Sequence, residues 1–343
     1  MKLSKPHTIY LSLLIFTLTA CEYIGEIDLP KPSLINLQFS TPPFDLESVD
    51  AQFAEEIPYD QYDDTKFDVF LPKSSTPTGL VVFIHGGGFT GGDKAFVYNS
   101  FFPEQIIELL ANNLAVATIN YRLLKENEDV GVLKSLNDSK RAIQYLRYIH
   151  KELNIDKEKI ALFGSSAGAS TALWIAANDD LKQDDSSDPV LQESTRVKGI
   201  ALRATQASLD IESRWINDVF PDFNSTLDEI IAEYGEETIF KFYGVDSWEE
   251  YESPAIDQYR QRVDMLSLLS SDDPEIWVSN TGGHNNKPMT QGSFNHHPFH
   301  ARTIKEYADA AGISNITGYG NPILFSDPSN EGHIDFFVRK LNE

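Results

Sequence analysis

The apolar positions of the chain follow two rhythms. Phe67-Asp68-Val69-Phe70-Leu71 alternates like a strand, and Pro72 to Gly79 turns the chain into the apolar run Leu80 to Ile84. Phe102, Ile106, Leu109 and Leu110 fall on one helix face, with Pro103 in the first turn, where its missing N–H breaks no helical bond. Ala115 to Ile119 reads as a strand. Ala142, Leu146, Ile149 and Leu153 return to helical spacing and lead into the apolar strand Ile160 to Phe163. Ala169, Ala172, Leu173 and Ala176 line the next helix. Val197 to Ala204 and Glu275 to Ser279 read as strands, and Pro298 to Gly312 as a helix. Pro322 to Ser326 is expected as the last strand and Ile334 to Leu341 as the last helix. This order predicts an α/β fold with a mostly parallel central sheet flanked by helices.

One connection is too long for that pattern. Between Ala204 and Glu275 lie 70 residues rich in aromatics, where an α/β connection needs far fewer. Residues 209–271 are therefore read as an insertion that can cap a site. Trp215, Phe220, Phe223, Tyr234, Phe240, Phe242, Tyr243, Trp248 and Tyr251 either shape a pocket there or pack the insertion's own core.

The N-terminus stands apart. Lys2 and Lys5 precede a short apolar run, Ile9 to Leu18, in the form of a signal peptide rather than a membrane span. Leu18-Thr19-Ala20-Cys21 is similar to a bacterial lipobox, which implies cleavage before Cys21 and a lipid on its sulfur. Cys21 is the only cysteine, so no disulfide forms within one chain. Residues 1–20 are thus read as a lipoprotein signal, 21–50 as a Pro-containing tether and 51–343 as the folded domain. The implied location is a bacterial cell envelope, with the membrane reached through the anchor.

Composition narrows the partners. The chain has 343 residues, 41% of them hydrophobic, enough for one large domain. The formal charge is −24, or −26 once Lys2 and Lys5 leave with the signal. Such a surface disfavours nucleic acid and anionic bilayers.

Two stretches carry candidate chemistry. The strand Ile160 to Phe163 ends at Gly164-Ser165-Ser166-Ala167-Gly168, a G-x-S-x-G pattern followed by a helix. A turn this tight crowds neighbouring Cβ positions, and its effect is to raise the Ser166 hydroxyl above the helix N-terminus. Upstream, Val81 to Ile84 runs into His85-Gly86-Gly87-Gly88. Successive glycines let backbone N–H groups converge where an oxyanion would form. No G-x-G-x-x-G spacing or Lys-Ser/Thr ending supports a phosphate loop instead. With both motifs in this order, the chain resembles the alpha/beta-hydrolase carboxylesterases and lipases of the H-G-G-G, hormone-sensitive-lipase-like type, from about residue 60 onward.

The resemblance implies a Ser–His–acid set. It places the nucleophile at Ser166 and the oxyanion donors at Gly87, Gly88 and Ala167. His333, in the loop past the last strand, is where the family keeps its base. His85 is expected to shape the glycine loop, and His296, His297 and His300 form a competing cluster suited to capping or a substrate-side role rather than a metal. The usual acid position is vacant: residues 280–297 contain no Asp or Glu. Asp210, at the neighbouring strand end, is the expected acid; Asn285, Asn295 or no acid at all are the alternatives. Asp138 is expected to cap a helix, and Asn120-Tyr121-Arg122 to act structurally.

The expected function is a serine carboxylic-ester hydrolase that works through an acyl-enzyme on small, sugar-linked or aryl esters, without metal or organic cofactor. A non-catalytic binding protein and a serine peptidase on the same fold are the alternatives.

Overall fold

The computed structural model describes residues 35–98 and 102–343. Cys21 and the signal segment lie outside them. The described residues form one sheet of nine strands: β1 (Ala51–Pro58), β2 (Lys66–Pro72), β3 (Thr78–Ile84), β4 (Leu114–Ile119), β5 (Ile155–Ser165), β6 (Gly199–Arg203), β7 (Glu275–Asn280), β8 (Asn315–Tyr319) and β9 (Phe325–Ser326). Their spatial order is β1-β2-β4-β3-β5-β6-β7-β8-β9. From β4 to β8 neighbours run parallel; β1, β2 and β9 pair antiparallel at the two edges. This is an alpha/beta-hydrolase fold.

Five longer helices cover the sheet: α1 (Pro103–Ala111), α2 (Leu133–Tyr148), α3 (Ala167–Ala177), and, after the insertion, α10 (Pro298–Ala311) and α11 (His333–Asn342). The insertion supplies α4 (Leu227–Tyr234), α5 (Glu236–Tyr243), α6 (Trp248–Tyr251), α7 (Pro254–Arg262) and α8 (Met265–Leu268), and a short α9 (Gln291–Asn295) follows β7.

The strand pattern decides the layers. On β3, Leu80, Val82 and Ile84 join one core, and Val81 and Phe83 the other. On β5, Ile160 and Leu162 face the first core, Ala161 and Phe163 the second. With both faces covered, the strands read as unbroken apolar runs. Helix α3 is buried on every side, which is why it is built of Ala, Gly, Ser and a few large apolar residues rather than of one apolar stripe.

The structure corrects the strand assignment at the β8–β9 edge. β8 lies at Asn315–Tyr319, in a stretch that reads as polar, and only Phe325–Ser326 of the expected last strand 322–326 pairs, as the short edge strand β9. The described part of the tether, residues 35–50, packs on the domain: Ser40 N donates to Phe53 O at 2.9 Å, and Leu46 is buried. Asp138 caps nothing. It lies within α2 and holds Arg122 through two 2.7 Å bonds, to Nε and Nη2. Among the described residues, no helix is long and apolar enough to cross a membrane.

Candidate active site

The turn from β5 to α3 is as tight as its glycines imply. Ser166 has φ +53° and ψ −123°, a backbone strained for a side-chain-bearing residue. A Cβ on Gly168 would lie 2.0 Å from the Ile84 carbonyl oxygen, and one on Gly164 2.3 Å from the Gly168 oxygen. Ser166 N donates to Arg203 O at 2.9 Å, and Ser166 O accepts from Ala169 N at 2.9 Å. The hydroxyl therefore stands at the start of α3, beside the helix's free N–H groups.

The glycine loop is braced from below. His85 is buried; its Nδ1–H donates to Gly86 O at 2.7 Å, and its ring stacks on Tyr121 with centroids 4.3 Å apart. Gly87, at φ +115°, turns the chain so that its carbonyl accepts from Thr90 N and Gly91 N, both at 3.1 Å. Further on, Lys94 N donates to Asn120 Oδ1 at 2.5 Å, while the Lys94 ammonium is buried between Glu56 and Asp68. Asn120 and Tyr121 thus hold this loop, and Arg122 the adjoining helix. The N–H groups of Gly87, Gly88 and Ala167 donate to no acceptor among the described residues, and all three residues line one cavity with Ser166.

The histidine at Ser166 is not the expected one. Ser166 Oγ lies 2.8 Å from His296 Nε2. His296 follows α9 as its C-terminal cap, and burial alone holds its pKa below the ordinary imidazole value. His333 is the first residue of α11 and faces away. Its Nε2 bonds Gln105 Oε1 at 2.9 Å, and its ring stacks on Phe163, with centroids 5.0 Å apart, beside Trp277. Burial, with a smaller effect of the Arg203 charge, lowers its pKa to about 4.

Asp210 does not reach either ring. Its Oδ1 accepts from Ser213 N at 3.0 Å, closing a turn inside the insertion, and burial raises its pKa. Asn285 holds Pro322 O and Asn321 N; Asn295 Oδ1 accepts from the Tyr234 hydroxyl at 2.7 Å. Among the described residues, no carboxylate bonds His296 or His333.

The other two clustered histidines serve the backbone. His297 caps α10: its Nδ1 accepts from Phe299 N at 3.1 Å, and its Nε2–H donates to Asn286 O at 3.0 Å. His300 is fully buried, with Nδ1 accepting from Ala207 N at 3.2 Å and Nε2–H donating to Phe294 O at 2.8 Å. Burial lowers them to about 4 and about 3 respectively. A signal for this division exists in the sequence. Pro298 marks a helix start, which commits His297 to the cap and leaves His296 just outside.

The cavity above Ser166 has a volume of about 420 Å³. Its floor is the glycine loop, Ser166 and Ala167; its roof is the insertion, through Leu209, Ile211, Trp215, Tyr234, Thr238, Ile239 and Phe242. The insertion's aromatics thus divide: Trp215, Tyr234 and Phe242 face the cavity, whereas Tyr243, Trp248 and Tyr251 pack on one another. Among the described residues lining it there is no Asp, Glu, Lys or Arg.

Comparison with known proteins places the chain among esterases of this fold. Over 121 residues the chain is 34% identical to an arylesterase of Saccharolobus solfataricus, covering 33% of this chain and 36% of that one. Over 133 residues it is 29% identical to a probable isoprenylcysteine alpha-carbonyl methylesterase of Arabidopsis thaliana, covering 38% and 26%. The matched stretches therefore span roughly a quarter to a third of these relatives' own length. A truncated carbohydrate esterase from gut microbiota shares the fold, with a TM-score of 0.59 at 16% identity over 87% of this chain and 99% of that one. The BD-FAE family model matches residues 67–249, more than half of the chain and including both the glycine loop and the Ser166 turn. The chain belongs to the BD-FAE family and is an esterase/lipase-like protein of alpha/beta-hydrolase fold.

Proposed function

We propose that this protein is a serine carboxylic-ester hydrolase for uncharged esters, with Ser166 as nucleophile and His296 as base. The observation that carries the reading is the 2.8 Å contact between Ser166 Oγ and His296 Nε2 on the floor of a cavity that, among the described residues, has no charged lining.

A serine hydroxyl needs a base within hydrogen-bond reach to attack at neutral pH. With Nε2 as acceptor, the neutral ring carries its proton on Nδ1. Ser166 Oγ attacks the ester carbonyl as its proton passes to His296 Nε2. The oxyanion is held by the N–H groups of Gly87, Gly88 and Ala167, which donate to no acceptor among the described residues. The carbonyl reforms, the C–O bond to the alcohol breaks, and His296 returns the proton to the departing oxygen. Water then repeats the sequence on the acyl-enzyme, again with His296 as base, and frees the acid.

Burying an unpaired charge is costly, so the lining favours neutral acyl or aryl groups. The similarity to a carbohydrate esterase and an arylesterase supports sugar-linked and aryl esters as substrates. The lipobox-like sequence supports attachment to a bacterial envelope membrane through Cys21, and a Cys21→Ala variant that still partitions into detergent would remove the anchor.

A ligand-binding protein without turnover is the second reading, favoured by the missing carboxylate. Stopped-flow with p-nitrophenyl butyrate decides between them. An acyl-enzyme predicts a burst or steady release of p-nitrophenol that Ser166→Ala abolishes; no release by the wild type, or release unaffected by Ser166→Ala, rejects the hydrolase.

A further inference from the structure

The segment that carries His296 is held by its peptide carbonyls. Phe294 O accepts from His300 Nε2 at 2.8 Å, Asn295 O from Gln206 Nε2 at 2.7 Å, and His297 O from Asn280 Nδ2 at 3.2 Å. Carbonyls on both sides of His296 are thus bonded to side chains that are themselves buried: His300 at 0%, Asn280 at 1% and Gln206 at 5% exposure.

Each of these donors is fixed from its other end. His300 Nδ1 accepts from Ala207 N at 3.2 Å, and Asn280 Oδ1 accepts from Thr205 N at 3.0 Å. Gln206 Oε1 accepts from Ser170 Oγ at 2.7 Å, and Ser170 lies on α3, one turn from Ser166. The nucleophile helix, loop 205–207 and the base segment are therefore stitched together by three bidentate side chains. Fully satisfied buried bonds of this kind rigidify the groups they join.

A third triad member has two tasks: it orients the imidazole and stabilises the imidazolium. The orienting task needs no charge. We propose that Gln206, Asn280 and His300 are positioning residues that orient His296 through its backbone in place of a carboxylate on its ring. The inference rests on the Ser166–His296 reading, and its test separates the two.

Gln206→Met keeps the length of the side chain and removes both bonds. With p-nitrophenyl butyrate, we expect kcat to fall by about 10- to 100-fold, the scale of misplacing a reacting group by up to an ångström, with KM within about threefold of wild type. Gln206 also lines the cavity, so Ser170→Ala, which lies behind it, is the second variant. It should lower kcat by about threefold or more without moving KM, and the double variant should be no slower than Gln206→Met alone, because both cut one link. The melting temperatures should stay within a few degrees, so that the kcat loss is not a loss of fold. Wild-type kcat in both single variants, losses confined to KM, or losses that multiply in the double variant would overturn the proposal while His296→Ala still abolishes turnover. Wild-type turnover by His296→Ala would instead remove the base itself, and the segment would then have nothing to position.

Discussion

The Tyr121 hydroxyl donates to the His85 carbonyl at 2.8 Å while the two rings stack 13° from parallel. Both residues are buried, and the bond fixes the strand end from which the glycine loop departs. Tyr121→Phe leaves that carbonyl without its donor. The expected cost is about 1–3 kcal/mol of stability, the penalty of an unsatisfied buried acceptor. The kcat should fall with it, because the Gly87 and Gly88 donors shift, and KM should change less. Thermal melting and steady-state kinetics on p-nitrophenyl butyrate check both; an unchanged kcat would detach Tyr121 from the oxyanion loop.

The pH profile follows from burial. Among the described residues, the titratable groups around His296 are Tyr234, His297 and His300, and the cavity that it lines has no Asp, Glu, Lys or Arg. A lowered pKa keeps the ring neutral, and so able to accept the serine proton, further into acid. The acidic limb of kcat/KM should therefore lie below the ordinary imidazole value of about 6.5. Stability moves the other way. His297, His300 and His333 titrate in the folded protein at about 4, about 3 and about 4. Unfolded, they bind protons near 6.5, so the unfolded state holds more protons in the window between. Stability should be full above about pH 6.5 and fall as pH drops toward 4. Calorimetry of wild type and His333→Gln across this range checks the sign: the variant should show the shallower fall.

Charge discrimination tests the cavity. The mono-anion of p-nitrophenyl succinate has nearly the shape of p-nitrophenyl butyrate but carries a carboxylate. With no Arg or Lys among the described lining residues, a buried unpaired charge costs about 3–5 kcal/mol, so kcat/KM should drop by about 10²-fold or more. Equal rates would mean that the acyl group does not enter this cavity.

The local parts of the site were legible because local sterics dictate them. Gly164 is required by contacts within the strand–turn–helix unit itself and Gly168 by the close approach of the neighbouring β3 backbone at Ile84, and the apolar runs of β3, β4 and β5 reflect burial on both faces. β8 was hidden because only Thr317 of its five residues is buried, so this strand next to the sheet edge has no apolar signature. The base was hidden for a different reason. His296 and His297 differ by one position, and which one meets Ser166 depends on the α9 and α10 caps, on the bond from His300 and on bonds from Gln206 and Asn280, which lie outside the segment in sequence. His333 occupies the place in chain order where the resemblance expects a base, yet α11 begins at that residue and carries its ring against Phe163 and Gln105. Asp210 stands near the β6 exit, but the chain turns there into the insertion and consumes the carboxylate in the 210–213 turn.

The most direct test of the site compares the two candidate bases in one assay. Turnover of p-nitrophenyl butyrate is measured for His296→Gln and His333→Gln beside wild type, with folding checked by melting. Loss of the base should lower kcat by about 10⁴-fold or more in His296→Gln, as in other serine hydrolases, while His333→Gln stays within about threefold of wild type. The reverse pattern, an active His296→Gln and an inactive but folded His333→Gln, would contradict the account.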